Sequence, residues 1–92
     1  MPSSSDYPGL LNDTYAGMTN IGRVIRDAWV LGVLPEGETC DGWSRSRLDE
    51  LFGKVADAWH PYGHLASQLP PDLRERHARI YEEAIRLARE QG

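Results

Sequence analysis

The sequence predicts an all-α protein: a small three-helix bundle with an N-terminal arm, residues 1–18, packed across a single helical domain, residues 19–92. Three observations carry this. Over the last quarter, Leu73, His77, Ile80, Ala84 and Leu87 recur at alternating spacings of four and three, with Tyr81 and Ala88 alongside. At about 100° per residue these fall on one helix face, opposite Glu75, Arg79, Glu82, Glu83, Arg86 and Glu90. A second set, Leu48, Leu51, Phe52, Val55, Ala56 and Trp59, repeats the same period against Asp49, Glu50, Lys54 and Asp57. Pro35, then Pro61 with Gly63, then Pro70, divide the chain into segments of helical length.

The arm mixes breakers with apolar residues. Ser3 to Ser5, Pro8-Gly9 and Asn12-Asp13 are turn chemistry, while Tyr7, Leu10, Leu11, Tyr15 and Met18 are too apolar for a free tail. Helix one is expected to start at Thr19 or Asn20, either of which caps, and to end at Leu34 before Pro35. Its core face is Ile21, Val24, Ile25, Ala28, Trp29 and Leu31, with Gly32 read as permitting close approach. Val30 and Leu34 project on the side of Arg23 and Asp27, so the second half is apolar nearly all round. The arm, a neighbouring helix or a partner has to cover that second face. Residues 35–42 read as a loop. Helix two then opens with Ser44 as cap and Trp43 placed to staple onto Leu48, and helix three opens with Pro71 at its first position and Asp72 at the positive dipole end.

Composition narrows the function classes. In a chain of 92 residues, 40% hydrophobic and 26% charged is the balance of a globular domain. The net charge of −4 sits in the front: residues 1–42 carry six acids against Arg23 and Arg26, and the rest carries eight of each sign. An acidic front half disfavours phosphate backbones and anionic membranes, so neither nucleic acid nor membrane is expected as a partner. Five arginines of helix three invite a nucleic-acid reading, but Asp72–Arg76, Glu75–Arg79 and Glu82–Arg86 stand at i, i+4 and are expected to neutralise them. One cysteine makes no internal disulfide, and neither an export signal nor a span-length apolar run is visible, which points to a reduced, cytoplasmic setting. The bias to arginine, nine of ten basic residues, suggests a GC-rich bacterial genome.

Candidate chemistry is sparse. His60 and His64, with Asp57 near and Cys40 or His77 as completing ligands, form the most metal-like cluster. Pro61 and Gly63 break the helical register that would put both imidazoles on one face, so no metal or other cofactor is expected. Cys40 lies among Glu36, Glu38 and Asp41, which hold a thiol protonated, so it reads as inert. No phosphate loop, dinucleotide fingerprint or serine elbow is present, and no enzymatic activity is expected. The expected role is a non-enzymatic accessory or regulatory protein that binds another protein or a second copy of itself. Its contact surface is expected at Val30, Leu34, Trp43 and Tyr62, with Glu36, Glu38 and Asp41 as a polar rim. A metal- or redox-linked protein using His60, His64 and Cys40 is the alternative.

Overall fold

The computed structural model describes residues 6–13 and 17–91. Among them lie three α-helices, α1 (Asn20–Leu31), α2 (Arg45–Trp59) and α3 (Pro71–Gln91), with 3-10 turns at Leu10–Asn12, His60–Tyr62 and Ala66–Gln68. No strand is formed among the described residues, and the protein is all-α. None of these helices is long and apolar enough to cross a membrane. Tyr15 and Ser3 to Ser5, named above as parts of the arm, lie outside the described residues.

The helix starts follow their caps. Thr19 Oγ1 accepts the Gly22 N–H at 3.1 Å, and Ser44 Oγ accepts that of Arg47 at 3.3 Å, each satisfying one donor the first turn leaves open. The end of α1 differs from expectation. Gly32 adopts φ +77°, and the N–H groups of Val33 and Leu34 both turn back to the Ala28 carbonyl, at 2.9 and 3.2 Å. This left-handed cap stops α1 three residues before Leu34. A methyl group at Gly32 would meet nothing, so the glycine serves backbone geometry there and not close packing. The close approach occurs at Gly22 instead, where an added Cβ would lie 1.8 Å from the Gly17 carbonyl oxygen.

α1 is the central helix and packs against both α2 and α3. That explains its all-round apolarity: Ile25, Ala28 and Val30 are each fully buried, together with Leu48, Leu51 and Val55 of α2 and Ile80 and Ala84 of α3. α1 also buries Arg26, which its position in the helix did not announce. The guanidinium donates to the Gly17 carbonyl at 3.1 Å and lies 3.7 Å from Met18 Sδ, and burial draws its pKa below the usual arginine value.

The arm is laid on the bundle through backbone pairing. Tyr7 donates to the Trp43 carbonyl, Gly42 to the Tyr7 carbonyl and Leu10 to the Thr39 carbonyl, at 3.0, 2.8 and 2.9 Å. Leu10 and Cys40 are sealed by this clasp, both at 0% exposure. Asp13 fastens its far end, accepting from Tyr7 Oη at 2.8 Å and from Thr19 Oγ1 at 2.6 Å, so one carboxylate joins the arm to the cap of α1.

Candidate functional site

Sequence position placed seven residues at one contact surface, and the structure distributes them. Val30 is fully buried and offers no surface; the side of α1 assigned to a partner is filled from within the bundle. Tyr62 sits half-buried in the 3-10 turn after α2, packed against the core. Leu34 and Trp43 do share a surface, because the Gly32 cap directs the chain out of α1 and back over its end. Two open clefts, of about 560 and 270 Å³, meet at Val33 and Leu34. Trp29 lines the first and Trp43 the second.

The acidic rim is largely internal wiring. Glu36 pairs with Arg79 of α3 at 2.7 Å, Glu38 accepts the Cys40 N–H at 3.2 Å, and Asp41 accepts the Thr39 hydroxyl at 2.5 Å. The Glu38 carbonyl also takes the Trp29 indole N–H at 3.0 Å, which ties the loop to α1. None of the three expected i, i+4 pairs of α3 forms among the described residues: Arg86 pairs with Glu83 and Glu90, Arg79 with Glu36, and Arg76 donates to the Val30 carbonyl at 3.3 Å. Arg76 thereby satisfies a carbonyl at the negative end of α1, a better use of a cation than an exposed pair along its own helix. Around the two clefts Arg47, Lys54 and Arg76 have no carboxylate partner among the described residues, against two acids without an ion pair, Glu38 and Glu50. The Arg47 guanidinium carbon lies over the Trp43 ring, 4.0 Å from its centroid, a cation–π contact made by an exposed arginine. The surface is apolar with a mixed border in which cations outnumber acids by four to three, where the sequence suggested an acidic one.

The histidines fall elsewhere. His60 and His64 are exposed, their rings 6.5 Å apart and nearly perpendicular. Cys40 is sealed under the arm, and burial, with Glu38 adding to it, pushes its thiol up to about 11. Among the described residues no group of three or more His, Cys, Asp or Glu is arranged to hold a metal ion.

The polar centre that sequence reasoning missed is Asp27. Tyr81 Oη donates to Asp27 Oδ1 at 2.5 Å and Trp59 Nε1 to Asp27 Oδ2 at 3.3 Å, so one carboxylate of α1 joins α2 and α3. His77 stacks on Tyr81 with ring centroids 4.6 Å apart, and Trp59 meets His77 edge-on at 6.5 Å. Burial, then the Asp27 hydrogen bond and charge, drive the Tyr81 pKa well above the usual phenol range. The available signal was a carboxylate on the apolar half of α1, facing aromatic residues at core positions of two other helices.

Comparison with protein-family models, with curated proteins and with solved structures finds no match to this chain. The functional reading therefore rests on this geometry alone.

Proposed function

We propose that this protein is a non-enzymatic interaction module that binds an acidic, amphipathic segment of another protein over the Val33–Leu34 saddle. The observation that carries the reading is the meeting of the two clefts at Leu34, with Trp29 and Trp43 lining one cleft each and Arg47, Lys54 and Arg76 as cations without ion-pair partners. Apolar anchors beside aromatic rings supply affinity at interfaces, and a charged border selects the partner and speeds encounter. The cations favour a partner bearing carboxylates next to its apolar side chains. With Glu36 paired to Arg79, the remaining excess of cations disfavours pairing of this surface with a basic segment.

The test is site-specific photo-crosslinking in lysate of the source cells. A crosslinker at Leu34 is compared with one at Leu65, an exposed residue that lines neither cleft. The expected result is a product at Leu34 alone, mapping to an acidic apolar segment whose synthetic peptide loses affinity for Lys54→Glu and Leu34→Glu variants. Equal labelling at both positions, a basic captured segment, or capture of a second copy of this chain would each overturn the reading.

A further inference from the structure

Apart from that saddle, a separate cleft of about 580 Å³ is lined by α1, the end of α2 and the connection after it, and α3. Arg23, Asp27, Trp59, His64, His77 and Tyr81 face it. Its volume falls within the range of about 300–1,000 Å³ typical of small-molecule sites. We propose that this cleft binds a small planar aromatic carboxylate, its ring against the wall of His77, Tyr81 and Trp59 and its charge on Arg23 and His64.

The wall is preformed. His77 and Tyr81 are tilted by 36° with their centroids 4.6 Å apart and Trp59 meets His77 edge-on, so three aromatic side chains are held in place along the cleft. The balance of donors and acceptors follows from the hydrogen bonds. Asp27 is the one carboxylate among the lining residues, and both its oxygens already accept, from Tyr81 and Trp59. What remains for a ligand is donors: the Arg23 guanidinium, which has no ion pair among the described residues, and two imidazoles. The planar fork of arginine takes a carboxylate through two parallel hydrogen bonds, and the aromatic lining favours an anion that carries a ring over inorganic phosphate. His64 is also held in a left-handed conformation, φ +60°, that a non-glycine residue rarely adopts. Its N–H reaches the Trp59 carbonyl at 3.3 Å, and this geometry sets the imidazole at the cleft beside the indole. Strain of this kind persists where surrounding structure enforces it, and it concentrates at ligand sites.

The experiment is a titration of the uniformly 15N-labelled protein, followed by amide shifts, with benzoate, benzamide and inorganic phosphate as probes. Benzoate is expected to saturate shifts at Trp59, His64, His77 and Tyr81 with Kd on the order of 1 mM, the scale for so small a ligand. Benzamide lacks the charge and phosphate lacks the ring, and each is expected to bind about tenfold more weakly or not at all. Arg23→Gln and His64→Gly are expected to weaken benzoate binding, the second while relieving the backbone strain and leaving the fold intact. Absence of benzoate shifts at these four residues, equal binding of benzamide, or undiminished binding by both folded variants would overturn the proposal.

Discussion

Tyr81 Oη lies 2.5 Å from Asp27 Oδ1 and also 2.9 Å from the Arg23 carbonyl, so a single phenol on α3 is fixed against two successive turns of α1. With Trp59 on the other carboxylate oxygen, this is the polar contact on which all three helices converge. Tyr81→Phe keeps the ring against His77 and removes only the hydroxyl. The expected loss is about 1.5–3 kcal/mol, the range for a hydrogen bond to a charged group, read from urea denaturation. A change below the error of that measurement would show that Trp59 alone suffices to hold Asp27.

The buried phenols and thiol also set the alkaline limit of the fold. Tyr7, Tyr81 and Cys40 all have pKa values raised in the folded state, first of all by burial, with Cys40 at about 11. Unfolded, thiol and phenol ionise near about 8.5 and 10. Above those values the unfolded chain has released protons that the folded chain retains, so stability falls as pH rises. Their contribution is fully present below about pH 8 and is lost through the alkaline range. Denaturation midpoints measured at intervals from neutral to strongly alkaline pH are expected to decline, and less steeply in the double variant Tyr7→Phe with Tyr81→Phe.

Cys40 reactivity reports the arm clasp. The thiol is fully buried beneath Tyr7 and Leu10 and held protonated, so alkylation of the native protein at neutral pH is expected to be slow. Gly9 has φ +102°, and a Cβ there would stand 2.2 Å from Asp41 Oδ1. Gly9→Ala is therefore expected to loosen the clasp and speed Cys40 labelling by about tenfold, a fall of roughly 1.4 kcal/mol in the free energy of opening. Unchanged labelling would mean that other contacts seal the thiol.

Two glycines of α1 are expected to respond differently to the same methyl group. Gly22→Ala drives a Cβ to 1.8 Å from backbone, which does not yield as a flexible side chain would. The expected cost exceeds about 3 kcal/mol, with a matching fall in Tm. Gly32→Ala meets open space and pays only for its left-handed φ, about 1 kcal/mol. Reversal of that order would contradict the close approach of Gly17 to α1.

Leu34 and Val30, paired by sequence pattern, separate in stability. Leu34→Glu is expected to cost about 1–2 kcal/mol and leave the protein folded, because Leu34 is half-buried and packs against the edge of the core. Val30→Glu buries a charge at a site of 0% exposure and is expected to unfold the domain, seen as loss of the cooperative transition in circular dichroism. A folded Val30→Glu protein would return that face of α1 to the surface.

Local chemistry by itself determined the helices, two of their starts and most of the core. The caps at Thr19 and Ser44, the stop of α2 before Pro61, and the periodic faces of α2 and α3 follow from short-range hydrogen bonding and from burial, which act on neighbours in the chain, whereas α1 ended at Gly32 and not at Pro35. Only the tertiary structure decided where the polar side chains went. Arg76 and Arg79 had plausible partners one turn away, but a carbonyl or a charge brought close by packing won over an exposed pair along the helix. Asp27 likewise gained Tyr81 and Trp59 across separations of 54 and 32 residues, contacts that no local pattern encodes. The face of Val30 went the same way. Amphipathicity records that a surface must be covered, and only the placement of α1 between α2 and α3 records what covers it.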